Sequence, residues 1–372
     1  MSDPRPTGSP LPMDAMVPGP QPRVRSIGFF SIFYYEPRPV LYFERTLLGA
    51  VYTSYNYQHN LLVRCDQGDC EEGSDCVKPF QDPSVAGIIL LSPHLEESKI
   101  AFLKDLGKPI VLTYFQSQDP EFAWVDLDNR RGAFMATEYL ISLGHKRVGF
   151  IGGNIQLSVN ALDRYVGYQK MLGKAGLKEN PRHVLHGDFS IQHGYQAMRR
   201  ILESPREEHP TAIFAATDLI ALGAMQAAQE AGLNIPNELS IVGFDDVESA
   251  AASSPPLTTV RQPFFEIGHR AVRLLEALLS DPSLTDRHVL LEPSMVFRSS
   301  AAPPPNTGVG GSRRTSPSPR PPGPQEDRPR PKGQRQPKRR NRTTPWVAKS
   351  IQATIDKKRP KRNAVGSYRK TT

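Results

Sequence analysis

Eight short apolar runs punctuate the chain between residues 26 and 246: "SIGFFSIF", "HNLLVRC", "GIILLS", "PIVLTYF", "RVGFIGG", "HVLHGD", "AIFAAT" and "LSIVGFDD". Each is strand-length, and most are rich in β-branched or aromatic residues. Between and after them lie stretches whose apolar residues recur at helical spacing, roughly 41–57, 96–106, 130–143, 161–175, 191–203, 218–231 and 264–280. Gly144, Gly176 and Gly232 each close a helical stretch, as a left-handed cap requires. Repeated strand–helix alternation predicts right-handed crossovers and parallel sheets covered by helices on both faces. The patterned region, about 26–299, is long for one open sheet and suits two α/β lobes.

The pattern is absent at both ends. Residues 1–25 are Pro-rich without a helical period, and residues 300–372 are Pro-rich and basic with few aliphatics. Neither end offers enough apolar surface to offset the entropy of ordering, so both are expected to be disordered. One stretch of the tail, "TTPWVAKSIQATIDKK", differs: Thr344 can cap, Pro345 suits a first helical position, and Val347, Ile351 and Ile355 fall on one face. It predicts a marginal helix of about four turns. Charge divides along the same line. Residues 301–372 hold 19 Lys and Arg against 3 Asp and Glu, while the first 300 residues hold 27 against 35. An acidic body therefore carries a basic tail, which invites a polyanion such as DNA.

Several classes of function are disfavoured. Cys65, Cys70 and Cys76 lack paired spacing, which fits reduced loop thiols better than a disulfide framework or zinc site. No apolar run approaches the 18 or so residues of a membrane span, and no signal-peptide core opens the chain, so a cytoplasmic protein is expected. "RVGFIGGN" is not a dinucleotide or Walker loop, and neither a nucleophile elbow nor a metal-binding histidine pair occurs. His145, at a helix-to-strand turn, is read as structural. No metal, cofactor or catalytic residue is assigned.

Binding chemistry remains. In open parallel sheets ligands collect beyond the carboxyl ends of strands. The side chains expected there are Asp128, Arg164, Asp188, Phe189, Thr217, Asp218, Asp245 and Asp246. Carboxylates accept from vicinal hydroxyls, Arg donates a planar fork and Phe stacks on an apolar ring face, which together make a polyol-type site. Asp218 opens a helix and is read as its cap; Asp245 is read as ligand-facing. A glycosidase using Asp245 and Asp246 is disfavoured, because neighbours on a strand point to opposite faces.

Four stretches carry a resemblance: "VDLDNRRGAFMATEYLISLGHKRVGFIGG", "SVNALDRYVGYQKMLGKAGL", "PTAIFAATDLIALGAMQAAQEAGLNIPNELSIVGFDDVESAAASSPPLTTVRQP" and "LEPSMVFRSSAAPP". Together the chain resembles the effector-binding core of the LacI/GalR transcriptional regulators, strongly over 125–300 and thinly over 26–120. The resemblance implies a periplasmic-binding-protein-like fold of two lobes, 26–144 with 261–291 and 145–260 with 292–299, joined by three crossovers around a ligand cleft. It implies a non-enzymatic sensor of a sugar or nucleoside effector. Arg164 is implied to grip effector hydroxyls, Phe189 to stack, and Asp128 and Asp245 to face the ligand. Thr217 stands where the family usually has Asn. A homodimer surface is implied on the helix of Leu222 and Met225 and the loop with Ala252. The family's DNA reader of about sixty residues has no counterpart in residues 1–25, so DNA contact is expected through a reader absent from this chain or through the basic tail. A solute-binding protein for transport is the alternative reading.

Overall fold

The computed structural model describes residues 24–33, 41–67, 81–91 and 100–305. The expectations for residues 1–23, Cys70, Cys76 and the tail beyond 305, with its predicted helix, lie outside them. Seven α-helices form among the described residues: α1 (Leu41–Asn56), α2 (Asn129–Ser142), α3 (Val159–Lys174), α4 (Ile191–Leu202), α5 (Asp218–Glu230), α6 (Glu248–Ala252) and α7 (Phe264–Ser280).

Two six-stranded sheets organise these residues. The first contains β1 (Ser26–Phe33), β2 (Asn60–Gln67), β3 (Val85–Leu91), β4 (Ile110–Thr113), β5 (Ala123–Leu127) and β11 (His288–Leu291), in the order β11-β5-β4-β3-β1-β2. The second contains β6 (Val148–Gly153), β7 (Val184–Gly187), β8 (Ala212–Ala215), β9 (Ser240–Asp245), β10 (Thr258–Arg261) and β12 (Ser294–Val296), in the order β12-β10-β9-β8-β6-β7. Every pairing is parallel except β10 with β12. Central strands such as β4, β6 and β8 are buried along their whole length, so they read as unbroken apolar runs rather than alternating ones. The architecture is the doubly wound, two-lobed α/β fold of the periplasmic-binding-protein type.

Each lobe has apolar layers on both sheet faces. In the first, Ile27, Phe29, Ile89 and Val125 pack toward Ile267, Val272 and Leu275 of α7, while Phe30, Ile88 and Leu112 pack toward Leu103. In the second, Ile151, Ile213 and Ile241 meet Met198 of α4 and Ile220 and Ala224 of α5. The other face places Phe150, Phe214 and Phe244 against Ala133, Ala136 and Leu140 of α2 and Tyr168 and Leu172 of α3. Thus α2 packs on the second sheet, although the sequence reading placed residues up to 144 in the first lobe. The first crossing lies between Leu127 and Asn129, where Asp128 joins β5 directly to α2. Gly144 marks a helix end and not a lobe boundary. The other crossings follow β10 at Arg261 and separate β11 from β12.

His145 knits the second lobe together, as its structural reading requires. Its Nδ1 lies 2.9 Å from Thr211 Oγ1, and its Nε2 lies 3.1 Å from Ser240 Oγ and 2.9 Å from the Ala302 carbonyl. Both sheets lie within one compact unit. Among the described residues no helix is long and apolar enough to cross a membrane.

Candidate functional site

The carboxyl ends of β8 and β9 and the starts of α2 and α3 converge on Arg164. Arg164 projects from α3 one turn after Asn160, so both side chains share a helix face. Its Nε donates to Asn129 Oδ1 at 2.9 Å, and its Nη1 donates to the Ala216 carbonyl at 2.6 Å. The guanidinium carbon lies 3.9 Å from the centre of the Phe244 ring, a stacked cation–π contact. Nη1 is 3.7 Å from Asp245 Oδ1. Burial presses the Arg164 pKa below its usual value, opposed by the carboxylates of Asp245, Asp126, Asp218 and Asp163. These contacts hold the fork in one orientation.

Asp245 ends β9 with φ of +125°, a backbone region that side chains rarely adopt, and Asp246 follows at +62°. The turn sends the two carboxylates to different partners. Asp245 Oδ1 accepts from Gln262 Nε2 at 2.5 Å, just past the end of β10. Burial raises its pKa to about 6, against the lowering effect of Arg164 and Gln262. Asp246 is committed elsewhere: Oδ2 accepts from Arg261 Nε at 2.7 Å and Oδ1 from Arg298 Nη2 at 2.5 Å. One strand end therefore supplies an acid to the cleft and a second acid that pins two segments beside the crossings.

The lobes meet at this cluster. Asn160 Nδ2 donates to the Tyr114 carbonyl at 3.0 Å and its Oδ1 accepts from Asn129 Nδ2 at 3.2 Å. Tyr114, at the end of β4, has φ of +63° and shares a 2.5 Å hydrogen bond with Thr46 of α1. Asp126, buried near the end of β5, accepts from Gln116 Nε2 at 2.9 Å and from the Leu127 amide at 2.7 Å. Burial raises its pKa to about 7.

The other expected site residues fare differently. Thr217 directly follows the Ala216 carbonyl, and its Oγ1 caps α5 by accepting from the Ile220 amide at 3.2 Å. That overturns the cap reading of Asp218. Asp218 is fully buried instead, with Oδ1 accepting from Thr259 Oγ1 at 2.5 Å and Oδ2 from the Val247 amide at 2.9 Å. Burial and neighbouring Asp245 hold its pKa well above the usual carboxylate range. Phe189 is half-buried beyond β7, close against Gly153 at the end of β6, where any side chain would meet its ring. Asp128 caps α2 by accepting from the Arg131 amide at 2.8 Å. Asp188 makes a local turn contact with the Ser190 amide at 3.0 Å.

Sequence reasoning missed Asn129, Asn160, Gln262, Tyr114 and Asp126. The i, i+4 spacing of Asn160 and Arg164 and the acid inside the apolar "WVDL" were available signals. The expected dimer residues divide as well. Met225 is only 3% exposed and belongs to the core of the second lobe, so it cannot line a free surface. Its helix packs that side against β8 and β9. Leu222 is half-buried against the same core, and Ala252 is exposed. Among the described residues no group of His, Cys, Asp and Glu is arranged to hold a metal ion.

Comparison with known proteins matches the fold. The profile of the periplasmic binding protein-like domain covers residues 137–301. Catabolite control protein A of Priestia megaterium is 32% identical over 244 residues, 66% of this chain and 73% of that protein. A regulatory protein of the LacI family from Chloroflexus aggregans superposes with a TM-score of 0.66 at 29% identity, covering 74% of this chain and 98% of that one. A LacI family transcriptional regulator from Enterococcus faecium, solved with bound ribose, gives 0.64 at 25% identity, covering 74% and 99%. With its two parallel-sheet lobes and polar cluster at the strand ends, the chain belongs to the LacI/GalR family of transcriptional regulators and carries that family's effector-binding core.

Proposed function

We propose that this sensor binds a small sugar-like effector between its lobes and performs no chemistry on it. The observation that carries the reading is Arg164, fixed by Asn129, Ala216 and Phe244 and facing Asp245. A planar donor fork beside a carboxylate is what vicinal hydroxyls bind. The bound ribose in the Enterococcus faecium regulator supports the same ligand class. Phe189 and Thr217 would supply an apolar ring face and a hydroxyl at neighbouring strand ends. Asp128, spent on capping α2, would set the position of Asn129 rather than meet the ligand. Regulation follows if the effector has different affinities for two arrangements of the lobes. Arg45 of α1 and Glu248 of α6, 3.2 Å apart, would lie at the rim that opens and closes. Such a regulator works in the cytoplasm.

We further propose a homodimer formed through α1 and β2. Leu48, Val51, Tyr52 and Tyr55 are exposed at i, i+3, i+4 and i+7 of α1, and Leu62 and Val63 are exposed on the edge strand β2. An apolar stripe of this kind along α1 is unusual on a monomer, and since Leu62 and Val63 point to opposite faces of β2, only one of them could extend it. With Met225 buried, the surface around Leu222 and Ala252 would add only a peripheral contact.

The effector reading is tested by thermal unfolding of the full-length protein against a panel of free sugars and nucleosides. A ligand that binds only the folded state raises the melting temperature with its concentration. At least one sugar is expected to do so, and Arg164→Lys and Asp245→Asn should each remove the shift. No shift by any member, or turnover of the sugar that binds, refutes the reading.

A further inference from the structure

The inference rests on the sugar reading of this same cleft and concerns which sugars it takes. The cleft is unbalanced in charge. Asp126, Asp163, Asp218 and Asp245 all lie within electrostatic reach of Arg164. Arg130 offsets Asp163 at 2.7 Å from an exposed position. Burial and Asp245 hold Asp218 toward its protonated form, which leaves Asp126 and Asp245 to share the buried guanidinium of Arg164. That guanidinium already gives Nε to Asn129 and one Nη1 hydrogen to the Ala216 carbonyl.

The cleft is also unbalanced in hydrogen bonding. Gln262 points its Nε2 at Asp245 Oδ1. Its side-chain carbonyl Oε1 has no partner although the residue is only 7% exposed. A buried acceptor left unpaired is costly, and its usual resolution is a donor from a ligand or ordered water. The Asp245 carboxylate and the Gln262 carbonyl are two acceptors at the ends of adjacent strands, β9 and β10. A hydroxyl donates one hydrogen bond. An ammonium donates three and brings the missing positive charge. A phosphate or carboxylate would add negative charge where it is already in excess.

We propose that the effector carries a primary amine held between the Asp245 carboxylate and the Gln262 side-chain carbonyl, so that the site prefers an amino sugar to its neutral or phosphorylated counterpart. Titration calorimetry of the full-length protein at pH 7.5 tests this with glucosamine, galactosamine and mannosamine. Each is compared with its parent hexose, its N-acetyl derivative and its 6-phosphate. At least one amino sugar is expected to bind ten-fold or more tightly than its parent. The N-acetyl derivative, which keeps the ring and loses the charge, should lose that advantage. Gln262→Met should narrow the ratio of amine to parent. A parent or phosphorylated sugar binding as tightly as every amine overturns the inference and leaves the sugar reading intact. Nucleosides alone raising the melting temperature in the thermal panel overturns it and moves the effector class. Failure of every ligand overturns both.

Discussion

At Asp126 and Asp245 the protein buries carboxylates that water would keep charged, and this has a consequence in the empty state. Burial raises their pKa values to about 7 and about 6, above the ordinary unfolded value near 4. A folded-state pKa above the unfolded one means that the native form holds the proton more tightly. The resulting stability is fully present below about pH 4 and is lost as pH rises through 6 to 7. One unit corresponds to about 1.4 kcal/mol, so Asp126 contributes at most roughly 4 kcal/mol of this dependence. His145 works the other way, since burial lowers its pKa and its protonation in acid is destabilising. The comparison that isolates the acid is Asp126→Asn. The variant should gain melting temperature relative to wild type at pH 8 and lose that advantage at pH 5, measured by calorimetry. An equal difference at both values contradicts the burial argument. The places of Arg164 and Asp245 were legible because Asp245 closes one apolar run and Arg164 follows the loop after another, while their ligand roles came largely from the family resemblance. Gln262 and Tyr114 were not, because their contacts exist only once β9 lies beside β10 and the two lobes meet.

Among the elements, each lobe contains a pair of helices in backbone contact, made by a glycine on both partners. In the first lobe a side chain at Gly49 would collide with the Phe265 carbonyl, and one at Gly268 with the Thr46 carbonyl. In the second, Gly194 faces the Ile220 carbonyl and Gly223 the Ile191 carbonyl. Backbone cannot yield as a flexible side chain can, so a single methyl must push α1 from α7, or α4 from α5. Gly268→Ala and Gly223→Ala should each destabilise the protein by about 1–3 kcal/mol, the usual cost of overpacking. Gly173→Ala, on α3 with open space around it, should not destabilise. Denaturant titration of the three variants checks this, and an unaffected Gly268→Ala would mean the helices are less closely packed than described. The elements were largely readable. The eight apolar runs correspond to β1–β4 and β6–β9, and the helical stretches to most of the helices. Four strands lie outside the eight runs and have visible causes: β5 carries Asp126 near its end, β10 opens with two threonines and ends on an arginine, β11 alternates at a sheet edge, and β12 has three residues. The lobe of α2 was misread because periodicity marks a helix without saying which sheet it covers.

For the whole molecule, the exposed stripe of α1 is the feature from which the proposed homodimer is argued. Tyr55 is 79% exposed beside Leu48, Val51 and Tyr52, and Tyr52 packs its ring 5.8 Å from that of Phe265. Sedimentation of the full-length protein should give a dimer, and Val51→Asp with Tyr55→Asp should give a folded monomer. A monomer in the wild type, or a dimer indifferent to both changes, would remove α1 from the interface. In the proposed dimer, effector binding and dimer geometry would be coupled through α1. Thr46 holds Tyr114 at the cleft while Leu48, Val51 and Tyr55 face outward from the same helix.

The central claim is that the effector sits against Arg164 and Asp245 between the lobes. Hydrogen–deuterium exchange of the full-length protein, with and without a sugar that raises its melting temperature, tests it most directly. The account predicts added protection in backbone amides at 113–116, 126–131, 158–164, 216–218 and 245–247, drawn from both lobes at once. Protection confined to one lobe, or appearing only on the outer faces of α1 and α7, would contradict it.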